Sequence, residues 1–408
     1  MLLMGTAALL VVGGVAPAQA AERAAQPEGT TWTADLGAGE ASGVTTSGGT
    51  VGLQGAGAYS APREGGMTEG GAEPAGAVPT GLLTLAPQNL AVPTSRVSSA
   101  VDGDLPPGTS ASVDVRGMRA NGSWTEWIPA APTDPRTGSV TLPEATREVQ
   151  GRLVLTGTGT VAPTVRSVQL TAAPYRGTEG GADLGEALPF SANVFATREG
   201  LVGGTTSNGH VITDRDHFVA LPSRRALSPR DTSDYSVRVC APNGKCAIAP
   251  VWDVGPWNTR DDYWNPGPQR QNWGDLPQGV PQAQAAFRNG YNGGNDQFGR
   301  KLVNPAGIDL ADGVFWDALG LKDNSQVQVD YLWTGSLTLS EVVTQGTLGI
   351  ANIRSAPSMD APIVGVAANS SKVPVQCRSG SWLQIGDKQF MRGAVLPKAT
   401  NVAACPAP

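Results

Sequence analysis

The chain has 408 residues, a net charge of -6, a pI near 5.1 and only two histidines. That length excludes a single small core and predicts two or three domains. The acidic balance, without any basic run to neutralise a row of phosphates, argues against nucleic acid as a partner. His210 and His217 cannot build histidine-rich zinc sites, and no HExxH, P-loop or GxSxG is present, so neither a metal nor an organic cofactor is expected. With 53 Gly and 32 Pro beside 16% charged residues, the composition predicts a mainly β protein of short strands joined by turns.

Residues 1–20, MLLMGTAALLVVGGVAPAQA, hold an apolar stretch ending in Ala18-Gln19-Ala20. This reads as a signal peptide cleaved before Ala21, which makes the mature protein secreted, with no membrane contact after cleavage. A transmembrane anchor is the competing reading, weakened by the shortness of the run and by its two glycines and proline. No cysteine lies near the cleavage point to take a lipid.

Residues 31–173 form the first folded unit. GTSASVDVRGMRANGSWTEWIPA alternates apolar and polar residues across a turn at Asn121-Gly122, and VQGRLVLTGT and TVRSVQLTAA repeat the habit. An antiparallel β-sandwich is expected, with REGGMTEGGAEPAGAVPTG (63–81) as a Gly-rich loop inside it. Around ASVDVRGMRANGSWTEW the segment resembles jelly-roll modules of secreted cell-wall proteins. Trp124 and Trp127 either cap the sandwich core or stack on a sugar. PYRGTEGGADLGEALP (174–189) reads as a linker.

Residues 190–335 form the second unit. SVRVCAPNGKCAIAPVWDVGPWN predicts a hairpin whose three-residue loop, Pro242, Asn243 and Gly244, sets Cys240 opposite Cys246 for a disulfide. Cys377 and Cys405 pair by elimination, since four cysteines in an exported chain fit two bridges. Asp253 emerges from the apolar second strand, where desolvation would raise its pKa toward that of a general acid. The competing role is capping the following turn at Gly255-Pro256. Downstream, PWNTRDDYWNPGPQRQNWGDLPQG concentrates Trp257, Tyr263, Trp264 and Trp273 close to Trp252. Such aromatic faces suit a glycan, or they keep a long helix-free loop ordered by burial.

In its order of parts this unit resembles the rare lipoprotein A and expansin group. TSNGHVITDRDHFVALPS, APVWDVGPWN and GIDLADGVFWDALGL follow the group's N-G segment, histidine before a Leu-Pro turn, acidic strand end and D-L helix start. The match covers about a third of the chain. The resemblance implies a six-stranded double-psi β-barrel, with Asn208 and Gly209 in the first element and His217 as the histidine. Asp253 with Gly255 and Pro256 would form the catalytic strand end, and Asp309-Leu310 would open a helix. Trp252 and Val254 stand where the group has Asn and Arg, and an insertion of about fifty residues follows Asp253.

The activity implied is lytic cleavage of peptidoglycan, with Asp253 as acid and base and His217 orienting it or serving as a structural donor. Substrate contacts fall to Asn208 and the loop aromatics. A hydrolytic route would need a second carboxylate, for which Asp214, Asp216 and Asp309 are candidates. A non-catalytic, wall-loosening protein of expansin type is the alternative.

Residues 345–398 contain GIANIRSAPSMDAPIVGVAANSSKVPVQCRSGSWLQI, which resembles a bacterial SH3 domain. Asn352, Arg354, Ser355, Pro357, Ile363, Val364, Gly365 and Trp382 fill its N-x-R-S-x-P, I-V-G and G-x-W places, while MRGAVL replaces the usual closing Gly-Trp-Val. The resemblance implies a small SH3-like barrel and a peptidoglycan or other cell-wall polysaccharide partner.

Overall fold

A computed structural model describes residues 29–54, 78–177, 188–344 and 349–406. The expected signal peptide, the leader through residue 28, most of the Gly-rich loop 63–81 and residues 178–187 of the expected linker lie outside them. Strands take 46% and helices 9%, so the protein is mainly β, as the turn-rich composition predicts.

The first body is a two-layered sandwich wound around two long strands, Gln88–Asp104 and Thr137–Thr156. The first half of Thr137–Thr156 pairs with Gln88–Asp104. Register breaks at Thr141 and Thr146 turn the chain, and the second half pairs with Thr80–Thr84 and Ser110–Gly117 on its two sides. One strand thus serves both layers, and Val97, Val113, Val140, Leu153 and Leu170 meet in a single apolar cluster between them. The turn at Asn121-Gly122 forms where expected, with Gly122 at φ 77° and the Asn121 side chain accepting from the Ser123 N–H.

The second body is a closed six-stranded barrel. Val219–Leu221, Ala306–Ala311, Phe190–Glu199, Ser325–Tyr331, Ser236–Cys240 and Cys246–Val254 pair in that order, and the last closes back on the first. Two of the six pairings are parallel, Phe190–Glu199 with Ala306–Ala311 and Val219–Leu221 with Cys246–Val254. Inside sit Ala196, Val219, Leu221, Val239, Val251, Ile308, Leu310 and Val329. The helical turn Gly313–Ala318 plugs one end with Val314, Phe315 and Ala318.

Two expectations change here. Asp309-Leu310 opens no helix: both residues lie inside the strand Ala306–Ala311, because the alternation Ile308-Asp309-Leu310 sends its apolar members into the barrel. Nor is the insertion after Asp253 helix-free. Gln282–Asn289 is an α-helix that begins after Pro281 and ends at Gly290 in the left-handed conformation, and its alanines pack on Trp257.

The third body is a small barrel built on Ile350–Arg354, Ile363–Ala368, Lys372–Pro374, Cys377–Ser379, Trp382–Gly386 and Gln389–Arg392. Ile353, Ala367, Val373, Leu383, Ile385 and Met391 fill it. It is joined edge to edge with the central barrel, Cys246, Ala247 and Ile248 running parallel to Gly365, Val366 and Ala367. A Cβ at Gly365 would run into the Cys246 carbonyl oxygen, so only glycine allows the two backbones to approach. Both expected disulfides form, Cys240–Cys246 across the hairpin whose Gly244 is left-handed, and Cys377–Cys405 holding the C-terminal tail.

Candidate functional site

Four side chains stand in one row on the outer face of the central barrel. Ala220 is the direct partner of Asp253 on one side and of Asp309 on the other, and Asp309 is the partner of Thr197. Three of them have core-facing chain neighbours, Val219 and Leu221 for Ala220, Ile308 and Leu310 for Asp309, Ala196 for Thr197, so they point outward, and Asp253 joins the row through its pairing with Ala220. Two strand spacings put the Cα atoms of Asp253 and Asp309 about 10 Å apart. The next outward row, Trp252, Phe218 and Ala311, is covered by Leu201 and Ile212. On the opposite side the insertion packs close, with Tyr263 Oη donating to the Gly307 carbonyl at 2.9 Å.

The two carboxyls differ in surroundings. Asp253 is half-buried, and its Oδ1 accepts the Ser207 N–H at 2.8 Å, the Val254 N–H at 2.7 Å and the Ser207 hydroxyl. Asp309 is 5% exposed and accepts from the Thr197 hydroxyl. Burial pushes its carboxyl up to about 7, the Thr197 hydrogen bond works against that, and the charge of Asp253 adds to it. The strip therefore contains an acid that keeps its proton near neutrality beside a second carboxyl. That combination suits general-acid chemistry.

The structure brings few of the other expected residues to this strip. His217 sits three positions before Ala220, against Gly313, with Nε2 buried and unpaired, and burial lowers its pKa. All three hydrogen bonds to Asp253 come from Ser207 and Val254, so His217 does not orient it. Asn208 is 3% exposed and spends its side-chain oxygen on the Thr206 hydroxyl and the His210 N–H, inside the hairpin that holds Ser207. Trp252 lies between His210, at 4.7 Å, and Phe218, at 5.9 Å, and donates to the Thr232 carbonyl. Its ring is committed to protein on both sides.

Trp257, Tyr263 and Trp264 are 0%, 0% and 1% exposed, which leaves no ring face for a sugar. Trp257 centres the core of the insertion, while Trp264 stacks on Tyr331 at 5.3 Å in the barrel core. Of the four loop aromatics, Trp273 alone stays half-buried. Trp124 and Trp127 are likewise buried, and they clasp the Arg116 guanidinium at 4.3 and 4.2 Å. Asp214 is exposed in an ion pair with Arg215, and Asp216 accepts from the His210 ring at 2.7 Å. Neither joins the row. Among the described residues no group of three or more His, Cys, Asp or Glu side chains is placed to hold a metal ion.

Sequence reasoning passed over Thr197 and Ser207 and treated Asp309 chiefly as a helix start. The signal for Asp309 was available in the strand alternation of AGIDLA. Ser207 carried none, since a hydroxyl beside Asn-Gly is ordinary turn composition.

Comparison with known families gives two matches. Residues 348–393 match the bacterial SH3 domain, and residues 190–330 match a domain of unknown function, DUF8814. No curated protein matches the chain. The third body is therefore a bacterial SH3 domain, a module commonly found binding cell walls. Two disulfides accompany it, and no helix among the described residues is long and apolar enough to cross a membrane.

Proposed function

We propose that this is a secreted cell-wall protein that binds peptidoglycan through its SH3 domain. The observation that carries this reading is the SH3 match itself, on a module held by backbone pairing to the barrel that bears the carboxyl strip. The test is retention of the mature chain on purified sacculi. Retention that survives washing in salt and is lost when the SH3 domain is deleted supports the reading; equal retention without that domain overturns it.

A second reading, lytic cleavage of the glycan, is favoured by one specific observation, the burial of the Asp309 carboxyl in one row with Asp253, which pushes its pKa up to about 7. In that reaction Asp309 protonates the glycosidic oxygen as the bond to the sugar breaks. The resulting carboxylate then takes the proton of the sugar's own hydroxyl as that oxygen closes an anhydro ring, so no water is consumed. The rare lipoprotein A resemblance assigned this role to Asp253; the environment of the two groups favours Asp309. The expansin-like alternative draws support from the 5% exposure of Asp309, which leaves little of that carboxyl open to a glycan. Mass spectrometry of supernatants from intact and peptide-stripped sacculi separates the two. Anhydro-muramyl fragments from the wild type and none from Asp309→Asn establish cleavage, and protein retained on the pellet without fragments leaves binding alone.

A further inference from the structure

The carboxyl strip is not built by the barrel alone. The sandwich strand Glu40–Ser42 lies against the hairpin Thr205–Val211, and the buried Ser42 hydroxyl donates to the Ser207 carbonyl at 2.9 Å. Ser207 is therefore tied at both ends. Its carbonyl is held by the sandwich, while its N–H and hydroxyl hold Asp253 Oδ1. Arg230 fastens the same seam: its guanidinium donates to the Ala41 carbonyl and, at 3.4 Å, to the Asn208 carbonyl, and its N–H donates to the Glu40 carboxylate. Gly209 makes room for that guanidinium, since a Cβ there would collide with it. One residue beyond Asp253, Val254 packs with Leu227 and with Leu82 and Val154 of the sandwich.

We propose that Ser42 is a positioning residue that sets Asp253 through Ser207, so that the strip is completed only when the sandwich is docked. This rests on reading the strip as the working site. The physical reason is that a hairpin residue with one tied end can still pivot, whereas a residue tied on both sides holds its acceptor in one place. The segment matched by the DUF8814 model, residues 190–330, begins well after Ser42 and so lacks this support.

The test uses the full mature chain labelled with 13C at aspartate carboxyls, and follows the protonated carboxyl of Asp309 by infrared spectroscopy as pH is raised. Asp253→Asn calibrates the readout: removing that charge moves the Asp309 midpoint downward. Ser42→Ala, which changes no charge, is expected to move the midpoint in the same direction, with faster hydrogen exchange at the Ser207 amide and a melting temperature lowered by only a few degrees. Ser42→Thr, which keeps the hydroxyl, restores the wild-type midpoint. A wild-type midpoint in Ser42→Ala overturns the proposal, as does an Asp253→Asn midpoint that does not move. Failure to find anhydro fragments from sacculi would remove the cleavage reading without altering either midpoint, so the two failures are told apart.

Discussion

Asp309 carries the strongest expectations at the scale of single residues. A carboxyl whose folded-state pKa is pushed up to about 7, against 3.8 for an ordinary aspartate, binds its proton more tightly in the native state than in the unfolded chain. Stability is then full at acid pH, falls as pH rises from about 4, and levels off above about 7. At about 1.4 kcal/mol per pH unit the loss has an upper bound of about 4 kcal/mol. Asp309→Asn keeps an acceptor for the Thr197 hydroxyl and removes the ionisation, so its melting temperature should be flatter across pH 4–7 and at least equal to wild type at pH 8. Thr197→Val removes the bond that holds the carboxyl down and should raise the infrared midpoint above the wild-type value. If the glycan is cleaved, activity should decline as pH passes 7, where Asp309 loses its proton. A flat pH profile would count against Asp309 as the donor. Asp253 drew attention in the sequence because it leaves an apolar strand into a Gly-Pro break. What the sequence could not show is that Ser207, forty-six positions earlier, would tie that carboxyl down while Asp309 received only one hydroxyl.

At the scale of elements, patterns confined to neighbouring residues were legible and those depending on distant partners were not. The Cys240–Cys246 hairpin and the Asn121-Gly122 turn follow from local turn chemistry and alternation, and the small barrel from its resemblance to a bacterial SH3 domain. The helix Gln282–Asn289 was missed because it is only eight residues long and its apolar face is made of small alanines, and its stability comes from those alanines packed on Trp257. The two readings of the aromatic loop stayed open for a related reason. A run of tryptophans looks alike in a sugar site and in a core, and only burial separates the two. Gly365 illustrates the opposite case, an I-V-G position whose glycine is explained by close approach to the Cys246 carbonyl. Gly365→Ala should part the two strands at that rung and cost about 1–3 kcal/mol, the usual range for overpacking. Differential scanning calorimetry should then show the SH3 domain melting earlier than the rest; coincident melting would show that the joint tolerates a methyl group.

On the scale of the whole molecule, the sandwich and the barrel share a core. Trp127 belongs to the sandwich chain yet lies fully buried in the barrel's apolar cluster, its indole N–H on the Leu227 carbonyl at 3.1 Å. Glu126 beside it accepts from Trp264 at 2.6 Å, Trp333 at 2.9 Å and Asn265 at 2.8 Å, and pairs with Arg225 at 3.1 Å. Trp127→Ala should cost about 3–5 kcal/mol and lower the stability of both bodies together in chemical denaturation. A loss confined to the sandwich would show that the two unfold independently. The strand Cys246–Val254 ties the third body into the same arrangement, since it pairs with the SH3 domain at Cys246–Ile248 and carries Asp253 five residues later. Those five residues span about 16 Å of extended chain. Domains on flexible tethers search for a second foothold at an effective concentration set by tether length. Here no slack is available: if the SH3 domain grips a polymer, that foothold stands at a fixed distance from the carboxyl strip, and which bond of the polymer reaches the strip is set by the polymer's own repeat.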